Sequence, residues 1–359
     1  MAPAPKAKSL VSGPGALLAR SMKQILLLGG TGWLGQTISL QALDRGHSVT
    51  ALARGTKPFT PGVRAVIADR EAPDAYEQVA GRAWDLVIEL TDRPPFAREA
   101  VQHLGGSAGN WVFISSCSVY DLQSEPGADE TARTAEPLPG AEDGEDADFG
   151  RAKSACEEVS VRYRNGGALV VRPGLIGGPG DPSGRSTYWP LRFAERRDPV
   201  LVPKAPDGEA HVQIIDVRDL AAFILDAGLA GEHGYVNAVG EAHRLGQALE
   251  MAREAAATVA ASNGRPAPEH QVVGYDVSRM AADGVNPWAG PTSLPLLLPP
   301  GDGYAGFARR SDARALQLGL RRRSLRQTFE DIVPAGGETD VDSLSSGLTA
   351  AEEQRLLAR

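Results

Sequence analysis

The chain alternates short apolar runs with amphipathic stretches, the rhythm of strands that feed helices. Residues 24–28, 48–53, 65–68, 86–90 and 168–172 are mostly apolar runs and read as strands, with helical spacing at 36–45 and 149–164. Strand and helix taking turns in this way predicts an α/β fold, a doubly wound parallel sheet completed by the run at 168–172. Beyond residue 173 the pattern changes. The stretch 174–210 is dense in Gly and Pro and holds Arg185, Tyr188, Trp189 and Arg192; residues 211–219 read as a strand leading into an Asp-capped helix. Helical spacing returns at 245–261, 311–318 and 324–333, separated by a Pro- and Leu-rich segment at 284–306 placed to close over a substrate or meet a partner. The organisation expected is a disordered arm at 1–21, a nucleotide-type core at 22–173, a smaller C-terminal lobe at 174–333 and a flexible tail at 334–359, with a short helix from Thr349.

The first strand runs straight into Gly29, Gly30, Thr31, Gly32, Trp33, Leu34 and Gly35, and a helix follows. Glycines at 29, 32 and 35 remove Cβ atoms from a strand-to-helix turn, so that backbone N–H groups and the helix N-terminus can meet a pyrophosphate. The competing site for a nucleoside triphosphate fails at one position. Gln36 stands where the phosphate-binding lysine of that motif belongs.

Composition narrows the partners. A hydrophobic share of 42% is ordinary for a soluble protein, and a formal net charge of −8 without a basic block gives nucleic-acid binding no electrostatic support. Two cysteines and six histidines show neither disulfide nor metal-ligand spacing, so no metal is expected and Cys117 reads as a small buried residue. The apolar patch near residues 16–18 is too short for a signal-peptide core or a membrane span. The expectation is a protein of the reducing cytosol that meets a small-molecule substrate and no membrane, with a homodimer left open.

Four segments, in this order, carry a resemblance: the turn at 29–35; Phe-Ile-Ser-Ser-Cys-Ser-Val-Tyr at 113–120; Phe-Gly-Arg-Ala-Lys at 149–153; and Val-Arg-Pro-Gly-Leu-Ile-Gly-Gly-Pro-Gly at 171–180. Over roughly residues 22–333 the chain resembles the extended short-chain dehydrogenase/reductase family, in its NAD-dependent epimerase/dehydratase-like branch. The resemblance implies a Rossmann-type sheet with a nicotinamide dinucleotide at the strands' carboxyl ends. It makes Ser116 the hydroxyl that binds the reacting oxygen, turns Ser118 toward the substrate, and has Lys153 hold the nicotinamide ribose. The family places a tyrosine four residues before that lysine, where the ammonium lowers the phenol's pKa and the phenol passes a proton. Here Phe149 occupies the tyrosine position, and its ring can neither donate nor accept one.

Three consequences compete. Hydride transfer persists with a proton from Ser116, Tyr188, water or an acidic substrate, which makes the protein a reductase of a small carbonyl, imine or activated alkene compound. Otherwise the fold performs redox-neutral epimerase, dehydratase, isomerase or cyclase chemistry, or senses NADP without turnover. A phenylalanine introduced to trap a complex stays open as a third origin. For the cofactor, the second strand ends at Ala53 without a carboxylate and Arg54 follows, which favours NADP(H) over NAD(H). By resemblance Asp69 lies near the adenine, with Arg70 stacking on ring or phosphate and Leu90 and Thr91 running along the cofactor. Arg185 and Arg192 are candidates for an anionic substrate group, Tyr188 for the missing hydroxyl, and the acidic segment 121–148 for a lid over the cleft.

Overall fold

The computed structural model describes residues 21–139, 148–162, 167–204, 210–299, 301–337 and 339–359. The arm expected at 1–21 lies outside the described residues apart from Ser21. Strand β1 (Gln24–Leu28) is buried on both faces, with Ile25 and Leu27 in the core on one side of the sheet and Leu26 and Leu28 in the core on the other. That two-sided burial is what a covered parallel strand demands of its sequence, and it explains the unbroken apolar run. The remaining strands are β2 (Ser48–Ala53), β3 (Arg64–Ile67), β4 (Trp84–Glu89), β5 (Ala108–Ile114), β6 (Leu169–Pro173) and β7 (Gly234–Ala238).

All seven pair in parallel, in the order β7-β6-β5-β4-β1-β2-β3. The chain winds outward from β1 to β3 and then crosses back to β4 on the other side of β1, so the order reverses between β1 and β4. Ligands of doubly wound sheets bind at that reversal, outside the strands' carboxyl ends. Sheet completion at 168–172 is corrected: β7 adds a further strand beside β6. Its sequence, Gly-Tyr-Val-Asn-Ala, is too polar to announce itself, because Asn237 is buried only by virtue of its hydrogen bonds.

Helix α1 (Trp33–Asp44) packs with the helix Val217–Ala230 on one face, and α2 (Pro94–Leu104) with α3 (Phe149–Arg162) on the other. The lobe has its own core around Trp189, Phe193, Leu249 and Phe329. Residues 339–359 belong to it. Val341, Leu348 and Leu356 are buried there, the helix Ala350–Leu357 is capped by Thr349, and Glu353 accepts from Arg192 at 2.8 Å and from the Leu201 amide at 2.8 Å. A loose tail after Pro334 is therefore overturned, since a carboxylate this buried ties the segment down. Among the described residues no helix is long and apolar enough to cross a membrane.

Candidate functional site

The turn after β1 is glycine for reasons the geometry makes specific. Gly29 has φ 90°, a conformation that side chains rarely adopt, and a Cβ on Gly35 would sit 2.8 Å from the Gly30 backbone. A Cβ on Gly32 would meet nothing nearer than 3.9 Å, so the space before it is open to a ligand. Gly32 also caps α1 without any side-chain hydrogen bond, which leaves the helix's first N–H groups for an anion.

From this turn a cleft runs in two directions. One arm, about 320 Å³, is lined by Thr31, Arg54, Lys57, Asp69, Arg70, Leu90, Thr91 and Phe96. The other, about 530 Å³, is lined by Trp33, Leu34, Gly35, Asp92, Ser116, Ser118, Phe149, Lys153, Arg185, Trp288 and Phe307. Both share Gly29, Gly32, Leu90 and Asp92. A two-armed cleft that pivots on a phosphate-type turn fits a dinucleotide, with its adenosine half in the first arm and its nicotinamide half in the second.

At the junction Lys153 is buried and donates to the carbonyls of Thr91 and Ile114, both at 2.8 Å. Burial holds its ammonium below the ordinary lysine value. With two of its three N–H groups committed, one remains for a ligand. Phe149, the first residue of α3, is 47% exposed, and its ring lies 5.8 Å from the ammonium. Ser116 Oγ accepts from the Ser118 amide at 3.0 Å and pairs with Ser118 Oγ at 3.1 Å. Two hydroxyls that share one hydrogen bond leave one O–H for a substrate. Beneath them Ser115 donates to Glu157 at 2.5 Å, and Glu157 forms a two-pronged pair with Arg172 at 2.8 and 2.6 Å, which fixes α3 against the ends of β5 and β6.

Residues 96–240 match the model of the NAD dependent epimerase/dehydratase family. WbmH of Bordetella bronchiseptica, solved in complex with NAD+, is similar with a TM-score of 0.59 at 18% identity, covering 89% of this chain and 99% of that one. UDP-glucuronic acid 4-epimerase of Bacillus cereus, solved in complex with NAD, gives a TM-score of 0.58 at 14% identity over 90% and 100% of the two chains. In sequence, the chloroplast stem-loop binding protein of 41 kDa b from Arabidopsis thaliana is 25% identical over 225 residues, which is 58% of this chain and 56% of that protein. The chain thus spans little more than half the length of that relative.

The expected site residues divide into those the cleft gathers and those it does not. The turn, Arg54, Asp69, Leu90, Thr91, Ser116, Ser118, Phe149, Lys153 and Arg185 all line it. Tyr188 does not, and its substrate role is corrected: it is fully buried, donates to the Leu348 carbonyl at 3.4 Å, and burial raises its phenol well above the ordinary value. Arg70 touches the first arm, but stacking on a ligand is corrected too, because its guanidinium is spent on Glu89 at 2.9 and 2.6 Å and on the Phe96 carbonyl at 2.6 Å. Glu89, an acid inside a strand, is thereby explained.

Arg192 is likewise a buried partner of Glu353 and offers nothing to a substrate. The described part of the expected lid, residues 121–139, lines neither arm; it is tied instead to α3 and to residues 306–311, for example Leu138 N to the Arg151 carbonyl and Gly127 N to the Arg309 carbonyl. The rest of the segment, 140–147, lies outside the described residues. Sequence reasoning missed Lys57, Asp92, Trp288 and Phe307. Only the last two carried a sign, as large aromatics in a stretch otherwise full of Pro and Gly.

Proposed function

We propose that the protein is an NADP(H)-dependent reductase of a small activated alkene, imine or carbonyl compound, whose proton does not come from position 149. The observation that carries this reading is Phe149 itself, exposed in the cleft above Lys153 with no titratable atom. Reduction of an alkoxide-forming ketone needs an acid at that point. The reverse, oxidation of a sugar hydroxyl, needs a base at the same point to take the proton, which is why the substitution weighs against both. General acid–base catalysis is worth about two to four orders of magnitude. Reduction of a conjugated alkene or an imine leaves its proton to water or to the substrate, and escapes that penalty.

The bound cofactor would supply hydride at the second arm. Gly29, Gly32 and Gly35 would hold its pyrophosphate, and Lys153 would hold the ribose through its remaining N–H. The spare O–H of the Ser116 and Ser118 pair would orient the acceptor. NADP is preferred on this reading because Arg54 and Lys57 are exposed in the first arm, no ion pair engages either among the described residues, and β2 ends at Ala53. Titration of NADPH and NADH by nicotinamide fluorescence tests the cofactor reading; tighter binding of NADH would remove the NADP preference.

A redox-neutral epimerase or dehydratase is the second reading, favoured by the fold neighbours, among them a sugar-nucleotide epimerase solved with NAD. It predicts a cofactor that survives purification and a nicotinamide absorbance that returns to its starting value after turnover. The reductase reading predicts net oxidation of NADPH.

A further inference from the structure

We propose that the substrate end of the cleft takes a small, flat molecule bearing a single carboxylate, with Arg185 as its anchor and the Trp288 and Phe307 rings as the wall against which its body lies. The inference rests on the reading of the cleft as a nicotinamide site and adds the class of substrate. It starts from a difference among arginines. Arg70, Arg172 and Arg192 are buried, and each is paired with a carboxylate at 2.8 Å or less. Arg185 is half-buried in the cleft and commits only its Nε, to Ser183 Oγ at 3.0 Å. Among the described residues no carboxylate stands within ion-pair distance of it, and neither terminal nitrogen makes a hydrogen bond.

The guanidinium is held in place all the same. It lies 5.1 Å from the centroid of the Trp288 ring, which meets Phe307 edge-on at 5.4 Å and 87°. A guanidinium laid on a ring and tied through Nε keeps its two-nitrogen edge free, and that edge matches the two oxygens of a carboxylate. Burial holds the group below the ordinary arginine value, so an anion arriving there is bound more strongly than at an open surface.

Charge decides between a carboxylate and a nucleotide diphosphate. The cations lining this arm among the described residues are Lys153, largely committed to backbone carbonyls, and Arg185. Facing them are Asp92 and Asp181, the latter with both oxygens taken by Ser183 and Ser186. One free cation beside two acids suits one negative charge and opposes two. The wall is also held in an uncommon conformation. Trp288, Thr292 and Leu296, with φ of 70°, 49° and 70°, are the non-glycine residues with positive φ among the described residues, and all fall in one short stretch. Backbone of this kind persists where the surroundings enforce it, commonly beside a ligand.

Calorimetric titration of the full chain, with and without saturating NADP+, tests the proposal with three probes: trans-cinnamate, its uncharged amide, and UDP-glucose. The expected result is cinnamate binding at least tenfold tighter than the amide, with UDP-glucose weaker than cinnamate. Arg185→Gln should abolish the preference for acid over amide while cofactor affinity stays within twofold, and Trp288→Ala should weaken acid and amide together. Equal binding of acid and amide by the unaltered chain, tighter binding of UDP-glucose, or no binding of any probe would overturn the carboxylate site whatever the variants do. Failure of NADP+ to bind would overturn the cofactor reading separately, and a preference for cinnamate that survives it would leave the carboxylate site standing.

Discussion

Arg192 and Arg185 are seven residues apart on the same lobe, and the fold treats them in opposite ways. Arg192 is sealed into the core with Glu353 at 2.8 Å and gives two further N–H groups to the Arg197 and Pro199 carbonyls, at 2.8 Å each. Arg185 faces the cleft with its terminal nitrogens unpartnered among the described residues. A cation that is paired inside its own chain holds the chain together, whereas one left unpaired at a cleft is available to a ligand. The same division separates Arg70, locked to Glu89 under the first arm, from Arg54 and Lys57 on its rim.

The largest effect expected from breaking this comparison is on the closed side. Glu353→Ala leaves Arg192 buried with only the more distant Glu195, at 3.9 Å, as a counter-charge, and should lower stability by about 3–5 kcal/mol, read from the urea midpoint. Lys153→Met removes a charge-assisted donor from the junction of the two arms. It should weaken NADPH binding by roughly ten- to a hundredfold, consistent with about 1.5–3 kcal/mol for a hydrogen bond to a charged group; an unchanged affinity would take Lys153 out of the site.

Phe149→Tyr sharpens the chemistry. It should raise ketone reduction at least about tenfold and leave alkene or imine reduction within about twofold, since only the first needs an acid there. The buried thiols of Cys117 and Cys156 are both pushed up to about 12 by burial. The unfolded chain loses these protons near an ordinary thiol value of about 8.5, so the unfolded state binds fewer protons above it. Stability should therefore fall as pH rises from there toward 12, by up to about 1.4 kcal/mol per pH unit for each thiol. Cys156→Ala should make that decline shallower in urea midpoints measured at rising pH. The smallest effect belongs to the open side: Arg185→Gln should change stability by no more than about 0.5 kcal/mol, because no partner is orphaned.

The sequence was legible where backbone geometry builds the molecule. The apolar runs of β1 and β2, the glycines of the turn and the helix-spaced pair Phe149 and Lys153 all obey local rules, and the two arms of the cleft follow from them. The far end of the second arm is assembled from Arg185, Trp288 and Phe307, which meet only after the lobe folds, and no periodicity marks them. Tyr188 misled for the same reason: an aromatic among Gly and Pro looks exposed until Leu348 and the C-terminal segment cover it. Glu353 and Asn237 were hidden by their polarity, which in a linear reading argues for solvent and in the fold is satisfied by distant partners.

The account rests on a cleft that binds a reduced nicotinamide and turns it over without an acid at position 149. Titration of the unaltered chain with NADPH by fluorescence, followed by absorbance of the reduced nicotinamide with ketone, imine and enone compounds added in turn, tests that most directly. The account predicts saturable NADPH binding and net oxidation with an imine or enone faster than with a ketone. Binding with no oxidation by any of the three, or fastest oxidation with the ketone, would contradict it.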